Sequence, residues 1–536
     1  MTQLATNAAI AAVPVPAYSY DAIPYPSHPY EASHPDQIYS LVRLFKIDAK
    51  LPDEASVLEL GCASGGNLIP MAVQMPNAKF VGVDLSTKQI TEGQARIDAL
   101  KIPNIQLVAR DFREIDDSYG KFDYIVCHGV FSWVPPDTQN RILELCQQRL
   151  ATNGIAYISY NAYPGWFMRG MIRQMMLHHI KNVDEPIAKV KQARALLAFL
   201  VESTEGQSTP YSQFLKSELE MLAKHSDAYL FHDHLEENNN PMFFYKFMEM
   251  VQSKGLQFVS ESSLASMITS NLPAKAAEAL TKLTNDLHQR SQYTDFVTNR
   301  MFRQSLLSLR DLRVVRHIDD RCLTGIYFSG NLRPQDESPT QELSSKVEVC
   351  FKCPNSRTIT TANPALKALM YSLGDHWPKS LTLPELCHDV EQRLEKVTTL
   401  GQKEQLTIAN VCASNILQMM VRGDVDFRYL PNRFTTVLSP KPVVTALARL
   451  QAREGTHITT QRHITMIADP LVRSVIQMLD GTRTKSDIVR LMSQWSREGK
   501  IKINIEGKAP KDFTSVYNAA IDRVFETLRT SAVLIA

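Results

Sequence analysis

No apolar run in this chain approaches the roughly 20 residues that a membrane-spanning helix needs, so no span is expected. The small apolar residues Ala8 to Val13 have no Lys or Arg before them, which argues against a secretory signal. Charge of one sign is also missing. Lys and Arg number 58 against 56 Asp and Glu, a net +2. A duplex-binding protein shows a basic excess or a dense patch, so nucleic acid is not favoured as a partner. Only eight cysteines are scattered over 536 residues, which fits reduced thiols and a cytoplasmic location. The one CxxC, Cys350 to Cys353, lies in a segment alternating like a strand, where residues three apart point to opposite faces. No second pair completes a zinc set, so no metal is expected.

What is present is length and pattern. The chain is too long for one core, and two to four domains are expected. Residues 1–35 interleave Tyr18, Tyr20, Tyr25 and Tyr30 with prolines, which predicts irregular backbone. From Ser56, strands alternate with helices: Ser56-Leu60, Lys79-Val83, Ile105-Val108, Phe122-Cys127 and Ile155-Tyr160, with helices at Asn67-Gln74, Lys88-Leu100 and Thr138-Leu150. That alternation predicts a parallel sheet covered on both faces. After Trp166 the pattern turns helical, and two late strands, Leu256-Ser260 and Phe302-Leu309, are expected to finish the sheet. The helices between, about 170–300, then cap one side of it. Residues 36–310 form this unit. Beyond it, Arg357-Thr358-Ile359-Thr360 with Asn363-Pro364 is matched further on by Arg462-His463-Ile464-Thr465 with Asp469-Pro470. Two α+β winged-helix-like modules are therefore expected, at 311–440 and 441–536.

The chemistry sits at the strand ends. Glu59-Leu60-Gly61-Cys62-Ala63-Ser64-Gly65-Gly66-Asn67 is a strand running through a glycine turn into a helix. Glycines there let backbone approach a ligand closely. The spacing is not GxGxxG and the P-loop Lys is absent, which disfavours a pyrophosphate ligand. This form resembles the first motif of class I methyltransferases. Asp84, followed by Leu85, ends the second strand about 20 residues beyond Gly61, where a carboxylate can accept both ribose hydroxyls. Asp111 and Phe112 follow the third strand, placed to face an adenine amino group and ring. His128 ends the fourth strand, where acceptor meets methyl group. The fold expected is α/β: a Rossmann-like seven-stranded class I methyltransferase sheet with helical insertions, plus the C-terminal modules. S-adenosyl-L-methionine is the cofactor implied, held by Glu59, Gly61, Cys62, Ala63, Gly65, Asn67, Asp84, Leu85, Asp111, Phe112 and His128.

After the fourth strand there is neither the Asp/Asn-Pro-Pro-Tyr/Phe segment of amino-methylating DNA enzymes nor a Pro-Cys nucleophile. Direct in-line displacement remains. Phe131, Trp133, Tyr160, Tyr163 and Trp166 crowd the same strand ends. Their faces attract a sulfonium or alkylated amine, and they are expected to line one channel, with the N-terminal tyrosines at its mouth and Pro164-Gly165 as a hinge. His128, Tyr160 and Trp133 are the catalytic candidates, and Phe131, Tyr163, Trp166 and His232 the acceptor-pocket candidates. His128 is read as a base or an orienting group.

Three longer segments carry a narrower resemblance: Gly66-Asn67-Leu68-Ile69-Pro70-Met71-Ala72, His128-Gly129-Val130-Phe131-Ser132-Trp133-Val134-Pro135 and Ser159-Tyr160-Asn161-Ala162-Tyr163-Pro164-Gly165-Trp166. With His232-Asp233-His234-Leu235-Glu236 and Asn299-Arg300-Met301-Phe302-Arg303-Gln304, they resemble a bacterial subfamily. Its members join a methyltransferase domain, a methyltransferase regulatory domain and a C-terminal module, and include the rickettsial outer-membrane-protein lysine methyltransferases. The resemblance implies N-methylation of lysine in a protein substrate. A small-molecule methyltransferase and a cofactor-binding scaffold stay open at this point, as does a homodimer.

Overall fold

The computed structural model describes residue 23 and residues 25–336, 340–397, 401–500 and 512–536. Tyr18 and Tyr20 of the aromatic leader lie outside the described residues.

One seven-stranded sheet organises the molecule. Its strands are Ser56–Leu60 (β1), Lys79–Asp84 (β2), Ile105–Ala109 (β3), Phe122–Cys127 (β4), Leu150–Asn161 (β5), Leu256–Glu261 (β6) and Phe302–Leu309 (β7), in the order β3-β2-β1-β4-β5-β7-β6. The first five pair in parallel, while β7 runs antiparallel to both β5 and β6. The expected strands and the expected antiparallel edge are both present. Strands covered on both faces must be apolar almost throughout, and the β4 sequence Phe122-Asp-Tyr-Ile-Val-Cys127 obeys this. Val57, Tyr124 and Val126 pack into the core on one face, and Leu58, Ile125 and Cys127 into the core on the other. The strand order reverses between β1 and β4, so a crevice opens beyond their carboxyl ends.

The regulatory-region motif ends in a buried ion cluster. Arg303 donates to both oxygens of Asp295 (2.8 Å each) and to Glu261 Oε1 (2.7 Å), and its guanidinium lies over the Phe244 ring. Arg300 adds a second cation, 3.1 Å from Asp295. The cluster ties β7 to β6 and to helix Leu287–Thr298.

The helices Trp166–Ile180, Pro186–Ser203 and Pro210–Ala223 stand over the crevice on a small core of their own. A π-helical turn, Phe231–Leu235, leads back to the sheet. The anticipated hinge is not loose. A side chain at Gly165 would stand 2.7 Å from the carbonyl oxygens of both Asn299 and Arg300, and its N–H donates to the latter.

The two C-terminal stretches share a topology. In the first, Tyr327–Ser329 is flanked by Leu381–Thr382 and Asp426–Arg428. In the second, Val443 pairs with Asp480 and Val444 with Leu534. Each also carries a β-hairpin, then a helix capped by Asn363 or Asp469 before a proline, then a capping box, Thr382/Glu385 or Thr484/Asp487. Their cores differ. Phe328, Leu369 and Met420 belong to the same buried cluster as Val57 and Tyr124, so the first stretch continues the core of the sheet. The second builds a separate core around Ile476, Ile488 and Phe525.

Candidate active site

Beyond the ends of β1 to β5 lies a cavity of about 630 Å³. Its floor is the glycine turn. Gly61 has φ +77°, and a side chain there would strike Val130 at 2.3 Å. Ala63 also takes a positive φ, and its N–H donates to Asp84 Oδ2 (2.8 Å). The other Asp84 oxygen accepts from Ser86 N (2.9 Å). These two bonds fix the carboxylate at the end of β2. Residues 25–30 cross directly over the turn. Ser27 Oγ accepts from Gly66 N, and a Cβ on Gly66 would meet the Ser27 carbonyl at 2.2 Å.

Glu59 is buried at the end of β1. Asn67 Nδ2 donates to its Oε1 (2.7 Å), while its Oε2 is buried with no hydrogen-bond partner among the described residues. Burial pushes this carboxyl up to about 7 against the lowering effect of Asn67, and nearby Asp84 adds to the rise. An orphaned acceptor lining a cavity fits a bound ammonium. Asp111 and Phe112 line the same space, although the Asp111 carboxylate is already engaged by Arg113 in a two-bond fork (3.0 and 2.6 Å).

His128 closes the middle of the cavity. Its ring stacks on Tyr30 at 3.7 Å, and its Nδ1 lies 2.8 Å from the Tyr157 hydroxyl. Burial lowers it to about 3. At neutral pH it is an uncharged, very weak base, so of the two roles read for it, orienting group is the one its surroundings support. The far end is acidic and aromatic. Trp133 and Trp166 meet edge to face at 6.0 Å, and Asp233, Glu236, Arg169 and Phe302 join them. Asp233 is pushed up to about 6 by burial, opposed by Arg169 and His232. His232 lines this end, with its Nε2 2.5 Å from the Ile23 carbonyl oxygen.

Of the expected residues, Glu59, Gly61, Cys62, Ala63, Asn67, Asp84, Leu85, Asp111, Phe112, His128, Trp133, Trp166 and His232 line this one cavity. Gly65 lies beneath the turn, against Ile69 and Leu107. Three aromatic expectations need correction. Phe131 and Tyr160 are buried in the core, packed together on Phe247, with the Tyr160 ring 4.1 Å from that of Phe247. Tyr163 stacks instead on Phe167, a half-exposed ring on the outer surface. The sequence reading missed Tyr157, Asp233, Glu236 and Phe302. The His-x-x-x-Glu spacing from His232 to Glu236 was the available signal for the acidic end. Among the described residues no cluster of metal-ligating side chains is present, and no helix is long and apolar enough to cross a membrane.

This sheet order, with a glycine turn after β1 and acids at the ends of β1 and β2, defines an S-adenosylmethionine-dependent methyltransferase. Residues 57–154 match the "methyltransferase domain" family model, residues 226–308 a "predicted methyltransferase regulatory domain" and residues 440–533 a "PKMT, C-terminal winged helix domain". An uncharacterized protein of Rickettsia prowazekii, RP789, is 35% identical over 91% of this chain and 88% of its own. The structure of PKMT2 from Rickettsia typhi superposes with a TM-score of 0.86 at 30% identity, covering 96% of this chain and all of that one. The same protein in complex with AdoHcy matches equally, at 29% identity. The chain belongs to the family of these rickettsial PKMT proteins, and its cofactor is S-adenosyl-L-methionine.

Proposed function

We propose that this methyltransferase N-methylates lysine side chains of a protein substrate by direct in-line displacement. The observation that carries the reading is the lining of the cavity, which Asp233 and Glu236 share with Trp133 and Trp166. Carboxylates draw in an ammonium, and aromatic walls attract it while excluding water. The likeness to PKMT2 supports the same acceptor class.

In this reading Glu59 and Asp84 would hold the cofactor's amino group and ribose, over the Gly61–Ala63 turn. When bound, S-adenosylmethionine supplies an electrophilic methyl group on a sulfonium. The lysine must first lose a proton, released to bulk water, because an ammonium has no lone pair. Its nitrogen then bonds to the methyl carbon as the carbon–sulfur bond breaks, and the electron pair passes to sulfur. His128, held neutral, orients and packs rather than taking the proton. Asp233, ionised above pH 6, accepts a hydrogen bond from the incoming cation. Alignment supplies most of the rate.

The test is incubation of the full chain with methyl-labelled cofactor, bacterial surface-protein extract and a metabolite pool, followed by mass spectrometry. Label on lysine side chains is expected. Label confined to small molecules would replace the proposal with a small-molecule methyltransferase, and tight cofactor binding without turnover would leave a scaffold.

A further inference from the structure

The C-terminal winged-helix segment reaches the glycine turn directly. Its hairpin, His457–Thr459 and Thr465–Ile467, projects a tip at His463, which is buried and has φ +60°. His463 Nε2 lies 2.8 Å from Asn67 Oδ1. Asn67 Nδ2 already donates to Glu59 and to Ser33 Oγ (3.1 Å), so its Oδ1 is the accepting end and His463 must be the donor. Tyr30 N donates to the same Oδ1 at 2.9 Å. One amide therefore joins the leader over the cavity, the acid at the end of β1 and the tip of the winged-helix hairpin.

Two further contacts run the same way. Glu454, at the end of helix Ala446–Glu454, pairs with Arg96 (3.0 Å), and Arg96 donates to Ser64 Oγ within the turn (3.1 Å). His457 packs on His28, a residue lining the cavity, at 4.8 Å between rings.

We propose that His463 is a positioning residue for the cofactor site: the winged-helix hairpin latches the glycine turn through Asn67, and so aims Glu59 at the cofactor. Docking of the C-terminal module and cofactor affinity are then two readings of one contact. The inference rests on Glu59 holding the cofactor, and not on the identity of the acceptor. The neutral imidazole suits a fixed donor, since burial and the nearby Arg428 lower it to about 3.

The experiment uses the full chain and S-adenosylhomocysteine in calorimetric titration. His463→Leu keeps the bulk and removes the donor, so its dissociation constant should rise roughly five- to tenfold, the worth of one hydrogen bond in a buried network. His463→Gln restores an N–H and should return to within about twofold of the parent. At saturating cofactor, methyl-transfer kcat should be kept while the cofactor KM rises. Should His463→Leu fail to fold, Glu454→Gln, a half-exposed change that frees Arg96, should raise the constant in the same direction. Unchanged affinity in a folded His463→Leu protein overturns the latch, as does equal weakening by Leu and Gln. If the protein with His463→Leu is unfolded, unchanged affinity in Glu454→Gln overturns it instead. Glu59→Gln run alongside separates the failures: if that variant binds normally, it is the Glu59 assignment that falls.

Discussion

Cofactor affinity should depend on pH through Glu59, and the size of the effect follows from its burial. A carboxyl held near 7 is half protonated at pH 7 in the empty protein. An ammonium beside Oε2 requires the ionised form. The dissociation constant for S-adenosylhomocysteine should then double between high pH and pH 7, and be about tenfold weaker at pH 6 than at pH 8. Titration at pH 7 in buffers of different ionisation enthalpy should show release of about half a proton on binding. Stability follows the opposite sign in the empty protein. The folded state holds this proton more tightly than the unfolded chain, so Glu59 favours folding at low pH. That contribution fades as pH rises from the ordinary carboxylate value through 7. Bound cofactor supplies the missing counter-charge, so its thermal stabilisation should be larger at pH 8 than at pH 6. Asp233, also raised, lines the acceptor end, and Asp233→Asn should leave the slope in place. Glu59→Gln should flatten it. A dissociation constant that changes by less than about twofold from pH 6 to 8, or a Gln variant keeping the parent slope, would refute the argument.

Asp84→Ala should weaken S-adenosylhomocysteine by roughly ten- to a hundredfold, about 1.5–3 kcal/mol for a charged two-bond contact, and titration calorimetry reads this directly. Trp133→Ala should abolish transfer to protein lysine with cofactor affinity kept within about threefold, whereas Tyr160→Phe should leave both intact because its ring is core; comparing the two variants in one assay tests the placement of each. Arg303→Met strands Asp295 and Glu261 in the interior and should lower stability by about 3–5 kcal/mol, seen as an early thermal transition. An unshifted transition would show that Arg300 alone suffices for the cluster.

The strand-end half of the cavity was legible because each strand of the parallel sheet ends in a short polar signature, and the fold sets those ends side by side. Glu59 and Asp84 stand at the ends of β1 and β2, and Asp111 and His128 follow β3 and β4. The acceptor half was read only partly. Tyr160 was placed by its nearness to a strand end, but side chains alternate along a strand. Tyr157, three residues earlier, faces His128, so Tyr160 must face the other way, into the core. Asp233 was visible in a histidine-rich motif, yet its use depends on a π-helical turn that no short-range pattern specifies. The His463 contact joins residues 396 apart, beyond any local signal.

The chemistry brings a cationic sulfonium to a lysine that arrives as an ammonium and sheds its proton before attack, and the cavity's charges suit both. Glu59, Asp84, Asp111, Asp137, Asp233 and Glu236 line it, against Arg110, Arg113 and Arg169. All three arginines are partly neutralised locally, Arg110 by Glu114, Arg113 by Asp111 and Arg169 by Glu218. A charged imidazole at His128, midway between the two halves, would repel both partners. Its burial under Tyr30 prevents this, because desolvation disfavours the protonated ring. The leader that supplies Tyr30 is held by Asn67, and Asn67 by the C-terminal hairpin. Closing the cavity and keeping its centre uncharged are therefore consequences of the same contacts. The C-terminal stretches belong to the surroundings of the site, since one continues the core of the sheet and the other contacts Asn67 beside its glycine turn.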